Sequence, residues 1–78
     1  MKPSTHEYLG YVFKISDQPH EPAFKVDFAD FAEIITSGGS LSHAFTNACE
    51  ALDLHLESLR KLGRRVPKPK HRVLVEAV

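Results

Sequence analysis

Cysteine is almost missing from this sequence. Cys49 is the only one among 78 residues, so no intrachain disulfide can form, and a zinc site of the two-plus-two cysteine type is excluded. Long apolar runs are missing as well. The residues before Tyr8 (MKPSTHE) are polar, and nothing in the chain approaches the ~18 apolar residues of a membrane span, so no membrane segment or secretory leader is read and a cytoplasmic location is the expectation. Low-complexity tracts, internal repeats and linkers are absent, and 42% of the residues are hydrophobic, which excludes wholesale disorder. There is no net charge, yet the charge is unevenly spread. Residues 1 to 59 hold three lysines and nine acids (3 − 9 = −6), whereas residues 60 to 78 hold seven basic residues and Glu76 (7 − 1 = +6). Such asymmetry bears on partners and not on fold.

What is present fits one domain over residues 1 to 78. A chain of this size buries only about 60 to 65% of its unfolded surface, so its core is thin, and self-association to a homodimer or larger homo-oligomer is an expected reinforcement. The stretch Tyr8 to Ile15 (YLGYVFKI) alternates with period two and predicts a strand. Ser16 to Pro22 carries two prolines and predicts a turn. Phe24, Val26 and Phe28 alternate with Lys25 and Asp27 in a second strand. A turn over Ala29 to Ala32 leads to Glu33-Ile34-Ile35-Thr36, whose β-branched pair and threonine predict a third. Gly38-Gly39 ends it, and Ser40 is placed to cap a helix. From Leu41 to Leu62 the apolar positions Leu41, Phe45, Ala48, Cys49, Leu52, Leu56 and Leu59 share one stripe at 100° per residue. Gly63 is placed to end the helix, and Val66 to Lys70 (VPKPK) cannot be regular. Val73, Val75 and Ala77 alternate in a final strand. The predicted fold is α+β, ordered β-β-β-α-β: a three-stranded antiparallel meander and a last strand, with one long helix packed on one face.

Several chemistries can be weighed against these placements. Two-metal phosphoryl transfer needs carboxylates converging on one point; Asp27, Asp30, Glu33 and Glu50 lie close in sequence, but YLGYVFKI supplies no acid and Asp27 and Glu50 point away from the predicted core. They read as solvated charge. The five histidines are dispersed, with no HxxxH or CxxC pattern, and the 12-residue separation of His43 and His55 turns them about 120° apart on a helix. Cys49 lies mid-helix on the apolar stripe, far from the N-terminal end that would activate a thiolate, and reads as a buried inert thiol. Ser37-Gly38-Gly39-Ser40 lacks the spacing and lysine of a phosphate loop. No cofactor, metal or catalytic residue is therefore assigned.

Two surfaces remain. Leu54 falls opposite the apolar stripe among Glu50, Glu57 and Lys61, and together with Phe31 in the turn it is a candidate contact for a second chain. Arg60, Lys61, Arg64, Arg65, Lys68, Lys70 and Arg72 form the alternative, a basic segment that could contact nucleic-acid phosphates, although no aromatic residue is interleaved for base stacking.

The order Val26-Asp27-Phe28-Ala29-Asp30-Phe31-Ala32, then Thr36-Ser37-Gly38-Gly39-Ser40, then Ala44, Asn47-Ala48 and Ala51-Leu52 resembles the core signature of the HicB family of antitoxins. The helix exit through Gly63 to Val66-Pro67-Lys68-Pro69 is similar too, so the likeness covers nearly the whole chain. Ala29 and Ala32 stand where that family usually has prolines. The resemblance implies a degenerate, partial ribonuclease H-like domain without catalytic acids, which self-associates and occludes a small basic RNA-cleaving toxin of the HicA type. Members that repress their own operon carry a C-terminal DNA-binding segment; none follows within the sequence to Val78, so DNA binding is not expected.

Overall fold

A computed structural model describes residues 3–19 and 23–69. Among these residues four strands form one antiparallel sheet in the order β1-β2-β3-β4, followed by one helix: β1 (Ser4–Tyr8), β2 (Tyr11–Asp17), β3 (Phe24–Phe28), β4 (Ile35–Gly38) and α1 (Leu41–Lys61). This is the predicted α+β class, an antiparallel meander with one long helix on one face. The meander has one more strand than expected before the helix, and the predicted last strand at Val73 to Ala77 lies outside the described residues.

The extra strand arises because YLGYVFKI is a hairpin and not one continuous strand. Tyr8 pairs with Tyr11, and Leu9 (φ 53°) and Gly10 (φ 86°) both take positive φ between them. Two positive-φ residues in a two-residue loop match the twist of the flanking strands. Glycine adopts this geometry freely, but leucine does not, so the alternation of the sequence conceals the turn. The strand predicted over Glu33 to Thr36 sits two residues later. Phe31 to Ile34 closes as a turn, with the Ile34 N–H donating to the Phe31 carbonyl at 3.1 Å, and the strand starts at Ile35.

The register aligns one row of side chains through Ser4, Ile15, Val26 and Thr36 and the next through His6, Phe13 and Phe28, all facing α1. Rows on the other face run through Thr5, Lys14, Asp27 and Ile35, so Asp27 does point away from the core. Tyr11, Phe13, Ile15, Val26, Phe28, Phe31 and Ile34 meet Ala44, Ala48, Leu52 and Leu56 in one cluster. Burial of each large member contributes about 1.5–3 kcal/mol before entropy is charged.

The buried line of α1 is rotated from the predicted stripe toward Ala44, Ala48, Leu52 and Leu56; Leu41 and Phe45 are 42% and 38% exposed, and Cys49 and Leu59 are half-buried. Gly38 is the cause. A Cβ built there would lie 2.3 Å from the Ala44 backbone nitrogen, so β4 and the first helical turn are in backbone contact, and small Ala44 takes the central position instead of Phe45. Phe45 still contributes from the side, with its ring 5.3 Å from His6 and 5.6 Å from Phe13.

Both ends of α1 are capped as the sequence predicts. The Ser40 hydroxyl accepts from the His43 N–H at 3.2 Å. At the other end the Gly63 N–H donates to the Arg60 carbonyl and the Arg64 N–H to the Leu59 carbonyl, at 3.1 and 2.8 Å, with Gly63 at φ 69°. That pair of bonds is a Schellman motif, which satisfies two otherwise orphaned carbonyls. Beyond it the irregular segment turns back to the sheet. Val66 packs on the core, the Tyr11 hydroxyl donates to the Pro67 carbonyl, and Pro69 lies over Gly10.

Candidate functional site

The carboxylates go to separate places. Asp27 pairs with Lys25 at 3.6 Å on the sheet face away from α1, Glu33 meets His55 Nε2 at 3.1 Å, and Glu57 meets Lys61 at 3.1 Å one helical turn on. Asp53 accepts from the Tyr8 hydroxyl at 3.0 and 3.2 Å, and Glu50 is exposed on α1. Among the described residues no three of His, Cys, Asp and Glu come together as a metal-binding group. The acid missing from the predicted first strand is supplied only by Glu7 in β1 and Asp17 at the end of β2, both exposed.

Histidines are equally dispersed. His6 stacks on Phe13 with ring centroids 5.4 Å apart, and its Nε2 lies 2.8 Å from the Ser4 hydroxyl. His43 is exposed in the first helical turn, whereas His55 contacts the Phe31 ring edge-on at 5.0 Å besides its bond to Glu33. His20 and His71 lie outside the described residues. Cys49 is half-buried rather than buried, and burial, with Asp53 and Glu50 close by, pushes its thiol above the usual range. The inert reading of this thiol keeps its chemical basis, because the thiolate is the nucleophile and it is disfavoured here.

The two candidate contact residues part company. Phe31 is only 1% exposed and packs against Tyr11 and His55, so it belongs to the core and is withdrawn from the surface reading. The turn that carries it folds inward, because a large ring next to an open sheet end gains more from burial than from exposure. Leu54, by contrast, is 65% exposed. Glu50, Asp53 and Glu57 surround it at the i, i+3 and i+7 spacing that puts all four side chains on one helical stripe.

Of the basic segment, Arg60, Lys61, Arg64, Arg65 and Lys68 are exposed around the C-terminal end of α1, where their charge complements the helix dipole. Lys61 is held by Glu57. Lys70 and Arg72 lie outside the described residues. Three further features were not read from the sequence: the backbone contact at Gly38, the Tyr8–Asp53 link between β1 and α1, and the exposure of Ile35. The last had a visible signal. Adjacent isoleucines in a strand point to opposite faces, so Ile34 and Ile35 could not both be buried by one helix.

No protein-family model, curated protein or solved structure matches the chain.

Proposed function

We propose that this chain is a non-catalytic interaction module of the HicB antitoxin kind, which binds and occludes a small basic protein resembling a HicA ribonuclease. The observation that supports this most is Leu54, exposed at the centre of the Glu50, Asp53 and Glu57 stripe on a helix whose other side is fixed to the sheet. An apolar anchor within like-charged neighbours suits a partner of opposite charge. The carboxylates raise the encounter rate and select the partner, while desolvation of the leucine slows its release. The dispersed carboxylates and the HicB-like residue order agree with a binding role. In this reading the protein acts in the cytoplasm and needs no cofactor.

Co-expression with a small basic protein of the HicA type tests the proposal. A complex is expected whose association slows as salt rises, and Leu54→Arg with Glu50→Lys should weaken it at least about tenfold, equivalent to about 1.4 kcal/mol. Failure of the two proteins to co-purify, or a complex indifferent to both substitutions, would overturn it.

The exposed basic end of α1 favours one second reading, a small nucleic-acid-binding protein that uses Arg60, Lys61, Arg64, Arg65 and Lys68. Filter binding at two salt concentrations separates the two, since each phosphate contact adds about 0.9 to the salt slope for duplex DNA. Absence of any salt-dependent affinity removes this second reading and leaves the first intact.

A further inference from the structure

The three acids around Leu54 are not equivalent. Glu57 already has a cation, because Lys61 Nζ lies 3.1 Å from its carboxylate one helical turn on. Glu50 is exposed, and among the described residues no hydrogen bond or ion pair fixes it. Asp53 is held, but by a neutral group. The Tyr8 hydroxyl lies 3.0 and 3.2 Å from its two oxygens. The ring behind that hydroxyl is half-buried and packs on the core, so the donor itself has a fixed seat. The Tyr8 phenol is pushed above its usual range by its bond to Asp53, and the Cys49 thiol by burial and then by the Asp53 charge, as expected beside a carboxylate that no cation neutralises.

We infer that Tyr8 is a positioning residue of the partner surface, whose hydroxyl fixes Asp53 at the β1 side of the Leu54 stripe as the acid that receives a lysine or arginine of the partner. This rests on the reading of the Leu54 stripe as that surface. An ionised carboxylate offers about four lone-pair sites, and one phenol proton leaves most of them open. A partner cation at Glu57 must first displace Lys61, and one at Glu50 must first order a free side chain. At Asp53 it meets neither cost, since the side chain is already ordered and its charge is unspent. The partner surface therefore extends from α1 onto β1.

Binding kinetics of the full chain with a small basic protein of the HicA type test this. Asp53→Asn keeps an acceptor for Tyr8 and loses only the charge, so it should slow association and weaken the complex about five- to tenfold. Tyr8→Phe keeps the ring and the net charge. It should leave the association rate and its salt dependence unchanged and speed dissociation about two- to fivefold, the size of a modest coupling between neighbours. Added to Asp53→Asn, it should cost nothing further. A Tyr8→Phe chain that binds like the parent, or that loses as much with Asp53→Asn as without it, overturns the inference. The Leu54 reading survives that result if Leu54→Arg still weakens the complex. A parent chain that forms no complex overturns both.

Discussion

Gly38 shows how much one absent methyl group decides. The helix begins three residues after it and then lies back on the same strand, so β4 and Ala44 share a space that no Cβ fits. Gly38→Ala must push the first helical turn away from the sheet, and overpacking of this kind costs about 1–3 kcal/mol. Urea denaturation should show a lower midpoint with an unchanged slope. Leu9 makes the opposite case. Its φ of 53° belongs to a region that costs an ordinary L-residue roughly 1–2 kcal/mol, whereas asparagine tolerates it, and its side chain is exposed. Leu9→Asn is therefore expected to stabilise the fold by about 0.5–1 kcal/mol, read as a higher urea midpoint. Phe31 teaches a third lesson at this scale. Its place in a turn suggested exposure, but a turn at the end of a sheet can fold its large side chain under the helix, where Tyr11 and His55 receive it.

Between elements, α1 is held by its caps, its buried alanine and leucine line, and a few polar ties to the strands. Ser40→Ala leaves the His43 N–H without its acceptor and should cost about 0.5–2 kcal/mol, measurable as a lower Tm. Tyr8 ties β1 to α1 by donating to Asp53, and that bond, then burial and the Asp53 charge, raise its phenol above the ordinary value near 10. A raised acid keeps its proton in the folded chain where the unfolded chain has lost it. Its contribution is therefore complete below the unfolded value and falls as pH rises through that value toward the folded one. The raised Cys49 thiol acts in the same direction at a lower pH. Stability should accordingly decline on the alkaline side, first from the thiol and then from the phenol. Tyr8→Phe should remove the later part of the decline in a series of urea midpoints against pH, and alkylation of Cys49 in the folded protein should be slower at pH 8 than that of an unfolded control.

At the scale of the whole molecule, one helix covers one face of a four-stranded sheet among the described residues, and Lys14, Asp27 and Ile35 stand exposed on the other face. Opposite charge is gathered toward the two parts of the chain, with the acids of α1 near Leu54 and the basic residues past its C-terminal end. The outer stripe of α1 is the surface proposed for a basic partner. Glu50→Lys should weaken that contact in a pull-down and leave the circular dichroism spectrum of the free chain unchanged.

Some of this was fixed by local chemistry and so was legible in the chain. The 3.6-residue period set the helix, Ser40 and Gly63 set its ends, and the period-two runs set β3 and most of β2, because each of these signals depends on neighbours a few residues away. The rotation of the helix about its axis and the burial of Phe31 depended on residues far apart in sequence, whereas the hairpin at Leu9-Gly10 is local but hidden, because leucine is not a turn residue and the alternation runs through it. Only the folded sheet brings Gly38 against Ala44 or Tyr8 against Asp53. The order of apolar and polar residues decided that a helix would lie on a sheet, and packing against particular strands decided which side chains that left facing outward.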